Sequence, residues 1–268
     1  MNYQSLKKNI ISDEIEKNLI NLVSESINFI NSHKIKRLDN KNDGTCLSKA
    51  DLEIDNIIFE TLSKLDSTIP VISEERSFNN KLFMSPEYWL IDPIDGTRNY
   101  INGGNEFTIN IALISKGKPI FGIIGHPPSN NIWIGKKNHV FIYNNKTRLK
   151  KKIEKLPQAK NKNTIIISNE KNKSIDSLIS KIENIEIIKV SSSLKFCYLA
   201  TNKAIFYPRF SIIKKWDIAA GHAILNSSGG VLTNLKGKTY NYNYPSSCAK
   251  AFFAYSNLGW DKRLLLNN

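Results

Sequence analysis

The segment Trp89-Leu90-Ile91-Asp92-Pro93-Ile94-Asp95-Gly96-Thr97 constrains the fold more than any other stretch of the chain. Its apolar start reads as a buried strand, Tyr88–Ile91, that ends at Asp92. Pro93 stiffens the chain there and has no backbone N–H to donate. Asp95-Gly96-Thr97 then resembles a helix start, whose unpaired N–H groups can cradle an anion. A second short apolar strand, Ile69–Ser73, also ends in acids, Glu74 and Glu75. Asp217 follows Trp216 and opens a helix, and Asp51 stands near the start of another. Taken singly, Asp92, Asp95 and Asp217 are ordinary turn and N-cap residues. Taken with Glu74 they read as one set, because clustered carboxylates repel unless a hard divalent cation, which takes oxygen ligands, offsets them.

The rest of the chain alternates helices and strands. Apolar positions from Leu6 to Ile30 recur at helical spacing over residues 3–32, and residues 34–48 are polar with an Asp43-Gly44 turn signal. A helix is expected at 49–65, strands at 107–115, 119–125, 132–134 and 140–143, and then strand 164–168, helix 174–182, strand 185–190 and helix 193–201. Strand 204–207, helix 217–227, stopped by Gly229-Gly230, and short strands over 231–256 complete the chain. Such mixed elements predict a layered α/β (α+β) fold. The division expected is an N-terminal α+β half, 1–150, with most of the acids, and a C-terminal α/β half, 151–268, with Asp217, working as one compact catalytic unit.

Composition excludes several classes. No run of about 18 apolar residues occurs, so no integral membrane segment is expected. Three cysteines without a CxxC pair point to a reducing compartment, and a cytoplasmic protein is expected, with peripheral membrane association left open. The net charge of +14 invites a nucleic-acid reading, but residues 134–173 hold twelve Lys or Arg against two Glu, scattered and with few aromatics. That stretch reads as a solvated basic surface, and no nucleic acid is expected as a partner.

The motifs ISEE (72–75), WLIDPIDGT (89–97) and WDIAAGHAILNSSGG (216–230) resemble, in order and separation, the signatures of the inositol monophosphatase superfamily. DGTCLSKAD (43–51) is similar to its upstream segment that ends in an active-site Asp. NEFTINIALISKGKPIFGIIGHPP (105–128) and SSSLKFCYLATNKAIFYPRF (191–210) resemble the bacterial 3′(2′),5′-bisphosphate nucleotidases within it. The resemblance implies an α/β/α/β/α sandwich, two or three Mg²⁺ ions per site and removal of the 3′-phosphate from adenosine 3′,5′-bisphosphate. It implies that Glu74, Asp92 and the Ile94 carbonyl hold one ion, and that Asp92, Asp95 and Asp217 hold another. It further implies that Thr97, hydrogen-bonded to Asp51, orients the attacking water and that Gly96 and Thr97 N–H groups bind phosphate, with Asp217 also at the substrate. Lys195 and Arg209 are candidates for the second phosphate, as a point charge and a bidentate fork. The expected partner is a small phosphorylated substrate, and the expected state a monomer or homodimer.

Three departures bear on specificity: Arg98-Asn99-Tyr100 after DGT is closer to the inositol phosphatase branch, Ser191 stands where Gly is usual, and Ser211-Ile212-Ile213-Lys214-Lys215 replaces a GPTSE-like loop. An inositol or sugar phosphate monophosphatase is therefore the alternative, and a nucleic-acid-binding protein on a retired phosphatase scaffold the alternative from another class. Glu75 reads as either a neighbour of the metal set or a solvated acid. His222 reads as a packing or hydrogen-bonding residue, Cys46 and Cys197 as small apolar groups, and Trp89 and Trp216 as anchors of the strand ends by burial.

Overall fold

The structure, a computed structural model, describes residues 11–33, 37–40, 46–154, 163–169, 172–182 and 184–257. The expected helix residues 3–10, the Asp43-Gly44 turn and the Cys46 side chain lie outside them. Helix α1 (Asp13–Ser32) begins where Ser12 Oγ accepts the Ile15 N–H at 3.2 Å, with Asp13, Glu14 and Glu16 in its first turn against the positive end of the helix dipole. Strands β1 (Arg37–Asn40) and β2 (Cys46–Ser48) pair antiparallel. This ribbon is not apparent in the polar sequence of 34–48, which has no apolar alternation. Helix α2 (Lys49–Leu65) starts from a capping box: Ser48 Oγ accepts the Asp51 N–H, and the Asp51 carboxylate accepts the Ser48 N–H at 2.8 Å.

A seven-stranded sheet follows in chain order: β3 (Val71–Ser73), β4 (Glu87–Asp95), β5 (Thr108–Ser115), β6 (Lys118–His126), β7 (Asn131–Lys136), β8 (His139–Asn144) and β9 (Lys150–Lys152), with the short helix α3 (Thr97–Ile101) between β4 and β5. Only β3 and β4 are parallel among these neighbours. The second sheet contains β10 (Asn163–Ile167), β11 (Ile185–Lys189), β12 (Phe206–Arg209), β14 (Val231–Asn234) and β16 (Phe252–Tyr255), in the spatial order β11-β10-β12-β16-β14. Helices α4 (Lys173–Ile179), α5 (Leu194–Ala200) and α6 (Trp216–Ser227) connect these strands, and β13 (Ile213–Lys214) pairs with β15 (Cys248–Ala249) beside the start of α6.

Alternation along the strands builds the layers. Trp89, Ile91, Ile109, Ile111 and Ile123 cluster with α1 and α2 on one face of the large sheet. Leu90, Ala112, Ile114 and Ile124 on the other face cluster with α5 and α6 and with Ile166, Tyr207 and Phe252 of the second sheet. Ile165, Phe206 and Tyr255 face outward to Ile175 of α4. The stack is thus α/β/α/β/α, as the resemblance implied. Helix α6, with α5 packed beside it, forms the buried layer between the sheets. It lies close to the large sheet because Gly135 has no side chain: a Cβ there would stand 2.5 Å from Ile224 Cα. The helix ends in a Schellman motif, with Gly230 N–H to Leu225 O at 2.9 Å and Gly229 N–H to Asn226 O at 3.0 Å.

One part of the basic stretch departs from the expected solvated surface. Lys136 is buried, and its ammonium bonds Asp13 at 2.8 Å and also Glu16, which Lys150 reaches as well. These pairs tie α1 to β7 and β9, so the charges act in packing.

Candidate metal centre and active site

Parallel pairing of β3 and β4 sets Ser73 against Ile91, so the two strands deliver Glu74 and Asp92 to the same end of the sheet. Asp92 pairs with Asn110 and Asp95 with Thr108, which leaves two residues, Pro93 and Ile94, on one strand against one, Ile109, on the other. This is a β-bulge at Pro93-Ile94, where the missing proline N–H costs no ladder bond. In an unbroken strand Asp92 and Asp95 would point to opposite faces; the extra residue brings both to one side. Helix α6 brings Asp217 in from the buried helix layer. Carboxylate oxygens of Glu74, Asp92 and Asp217 lie within 4.8 Å of one another.

Asp92 is 1% exposed, and neither of its carboxylate oxygens has a hydrogen-bond partner among the described residues. Burial, then the charges of Glu74, Asp95 and Asp217, push its carboxyl well above the usual range. Burial, Asp95 and Glu74 do the same to Asp217. A buried carboxylate with no donors, facing two more carboxylates, is a hard oxygen donor set that a divalent cation fits and a hydrogen-bond network does not. Asp95 adjoins this trio in a different setting. Its Oδ2 accepts from Asn110 Nδ2 at 3.4 Å and lies 3.0 Å from Ser193 Oγ, and burial raises its pKa against the opposing charge of Lys195. The half-buried Glu75 donates its N–H to Ser73 Oγ at 3.2 Å, and its charge is one of those acting on Asp92.

Asp51 is fully buried and uses its two oxygens differently. Oδ2 holds the cap through Ser48 N–H at 2.8 Å and Ser48 Oγ at 2.5 Å, while Oδ1 accepts from Thr97 Oγ1 at 3.0 Å. One side chain thus caps the helix and makes the hydrogen bond with Thr97 that the resemblance implied. Thr97 Oγ1 also lies 2.9 Å from Ile94 O. Gly96 precedes α3 at φ +94, and a Cβ there would stand 2.9 Å from Glu106 O, so glycine is required on both counts.

An open cleft of about 750 Å³ has Glu74, Asp92, Ile94, Asp95, Thr97 and Asp217 in its wall. A second cavity of about 210 Å³ shares Asp95, Ser191 and Asp217 with it and is lined further by Lys195, Tyr207 and Arg209. The buried Lys195 ammonium donates to Val190 O at 3.2 Å and Ser192 O at 2.6 Å, and Arg209 Nη1 to Ser168 Oγ at 3.2 Å.

Sequence reading missed a buried polar chain behind the acids. Thr108 Oγ1 donates to Asn110 Oδ1 at 3.0 Å, and Asn110 Nδ2 donates to Ser193 Oγ at 2.9 Å. The single Ser193 hydrogen lies between Asp95 Oδ2 and the Asp217 carbonyl, the latter at 2.6 Å. The available signal was Asn110 itself, an amide inside the otherwise apolar run Ile109–Ile114. Lys215 was missed too: it is fully buried, donates to Tyr242 O at 2.8 Å and Tyr244 O at 2.7 Å, and lies over the Phe83 and Tyr244 rings, which pins the start of α6. His222 is buried with Nδ1 3.1 Å from Tyr242 Oη, and Cys197, Trp89 and Trp216 are buried, as expected of packing residues.

The sequence pattern of the inositol monophosphatase family matches residues 10–262. The 3′(2′),5′-bisphosphate nucleotidase CysQ of Buchnera aphidicola subsp. Acyrthosiphon pisum is 37% identical over 217 residues, 81% of this chain and 81% of that protein. The structure of CysQ from Bacteroides thetaiotaomicron, a bacterial member of the same family, superposes with a TM-score of 0.73 at 25% identity, covering 88% of this chain and 93% of that one. An inositol monophosphatase/NADP phosphatase solved with Mg²⁺ and phosphate shares the fold at a TM-score of 0.77 and 19% identity, covering 95% of this chain and 96% of that one. With its motifs, its layers and its clustered acids in agreement, the chain belongs to the inositol monophosphatase family.

Proposed function

We propose that this chain is a Mg²⁺-dependent phosphatase that removes the 3′-phosphate of adenosine 3′,5′-bisphosphate to give AMP. The observation that carries the reading is the adjacency of two sites: the Glu74–Asp92–Asp217 trio, with Asp92 oxygens that have no partner among the described residues, and a basic pocket with Lys195 and Arg209 that shares Asp95 and Asp217 with it. Names of relatives at 31–37% identity point the same way.

In this reading Glu74, Asp92 and the Ile94 carbonyl would hold one ion, and Asp92, Asp95 and Asp217 a second. Such ions would supply charge stabilisation of the phosphoryl oxygens and of the attacking and leaving oxygens. Gly96 and Thr97 N–H groups hold the phosphate that is cleaved. Thr97 Oγ1 donates its hydrogen bond to Asp51 Oδ1 and so turns a lone pair toward the attacking water; as the hydroxyl takes the water's proton, its own proton passes to the Asp51 carboxylate. Asp51 is kept from rotating by its cap bonds to Ser48. Lys195 spends two of its three ammonium hydrogens on carbonyls, and the third serves the phosphate that is not cleaved, together with Arg209. Residues 1–150 thus bring most of the acids, residues 151–268 bring Asp217 and the specificity residues, and the two halves form one catalytic unit in a cytoplasmic enzyme. No helix among the described residues is long and apolar enough to cross a membrane.

The test is phosphate release with Mg²⁺ from adenosine 3′,5′-bisphosphate, AMP and inositol 1-phosphate. A charge-assisted phosphate contact is worth about 1.5–3 kcal/mol. Lys195→Ala and Arg209→Ala should therefore each lose about 10- to 100-fold in kcat/KM on the bisphosphate and far less on inositol 1-phosphate. A wild type that prefers inositol 1-phosphate outright would refute the nucleotidase assignment and favour the branch suggested by Arg98-Asn99-Tyr100.

A further inference from the structure

The function proposed above leaves Glu106, Asn169 and Ser191 without a role, although Asn169 and Ser191 line the metal cleft and Ser191 also lines the basic pocket. Glu106 lies between α3 and β5, Asn169 just beyond β10, and Ser191 between β11 and α5. Three separate segments therefore meet at this point.

Glu106 Oε2 accepts the Ser191 backbone N–H at 2.9 Å and Asn169 Nδ2 at 3.2 Å. Asn169 Nδ2 also donates to Ser191 Oγ at 2.9 Å. An ionised carboxylate accepts and cannot donate, so it fixes which end of the Asn169 amide faces it. Both Asn169 amide hydrogens are then engaged, and Oδ1 remains as the acceptor this side chain can offer. Ser191 Oγ has accepted a hydrogen from Asn169, so its own O–H is a donor. One donor beside one acceptor is the complement of a hydroxyl group.

The location selects which hydroxyl. Ser191 borders both the cleft of the acids and the pocket of Lys195 and Arg209. A ribose carrying phosphates at its 3′ and 5′ positions has to lie across that border, with its 2′-hydroxyl next to the ester that is cleaved. We propose that Ser191 and Asn169 seat the ribose 2′-hydroxyl, and that Glu106 is the positioning residue that holds them in donor–acceptor order. The inference rests on the bisphosphate reading above. It gives a function to Ser191, whose presence in place of a usual Gly is one of the departures in the sequence.

The experiment compares kcat/KM for adenosine 3′,5′-bisphosphate with that for its 2′-deoxy analogue, in the wild type, Ser191→Ala and Glu106→Gln, with melting temperatures alongside. The wild type should prefer the ribonucleotide by about 10-fold, because the deoxy sugar leaves the donor and the acceptor unmatched. Ser191→Ala should bring that ratio to within about twofold of one. Glu106→Gln can donate as well as accept, so Asn169 is released to turn over, and the ratio should narrow without a matching change in melting temperature. A purely structural role would lower both nucleotides alike and leave the ratio intact. A wild-type ratio near one, or a ratio that survives both substitutions, overturns the hydroxyl seat while the nucleotidase reading stands. Turnover of inositol 1-phosphate with neither nucleotide accepted overturns both.

Discussion

Replacing Asp51 with asparagine isolates the proton-accepting role from the helix cap. Asp51 Oδ2 faces the Ser48 N–H, a donor that cannot be reversed, at 2.8 Å, while Oδ1 faces the Thr97 hydroxyl, which can be, at 3.0 Å. The single amide oxygen of the substituted side chain will therefore take the Ser48 N–H and keep the capping box. Its NH₂ is then forced toward Thr97 Oγ1, which becomes an acceptor and sends its own hydrogen to Ile94 O at 2.9 Å. The hydrogen bond is reversed, and no group is left to receive the proton of the attacking water. Loss of a positioned general base costs about 10²–10⁴-fold in rate. The cap survives, so stability should fall by no more than about 1 kcal/mol, or about 2–4 °C in Tm for a chain of this size. Steady-state phosphate release and thermal melting should be measured on Asp51→Asn, Thr97→Ala and the double variant. Both singles should lose kcat with little change in KM, and the double should be little worse than either, since they remove one unit. Retention of more than about a tenth of the wild-type kcat by Asp51→Asn, or additive losses in the double variant, would refute the reasoning.

Two further perturbations follow from buried groups. Asp92→Asn should abolish turnover while leaving the metal-free Tm equal or higher, because it relieves repulsion with Glu74 and Asp217; the Tm rise on adding Mg²⁺ should largely disappear, and an undiminished rise would exclude Asp92 as a ligand. Burial holds His222 neutral, with its pKa pushed down to about 3, while in the unfolded chain it takes a proton below about pH 6.5. The folded state therefore loses stability as pH falls from about 6.5 toward 3, at up to about 1.4 kcal/mol per pH unit. His222→Gln should flatten that decline in Tm measured between pH 7 and pH 5, and an unchanged slope would show that His222 is not its source.

Local signals along the chain set the elements and the chemistry that each end carries. Helix α2 spans the expected 49–65 because Ser48, Asp51 and the apolar spacing are local signals, and Trp216-Asp217 and Gly229-Gly230 mark both ends of α6 for the same reason. Acids at the ends of short apolar runs were visible as a set, and the family motifs supplied their order. Smaller differences arose where pairing outweighed propensity: β12 lies at 206–209 rather than 204–207 because β16 pairs with it along that length. Other features of the site depend on neighbours distant in sequence. The extra residue at Pro93-Ile94 exists only relative to β5, and it is what turns Asp92 and Asp95 to one side. Asn110 and Ser193, 83 residues apart, meet because a strand of the first sheet and the start of α5 pack against the same acids. The Glu106–Asn169–Ser191 triangle joins three loops that no local pattern relates. Periodicity and capping act over a few residues, whereas register, bulges and the approach of buried layers are set by the summed packing of the whole core.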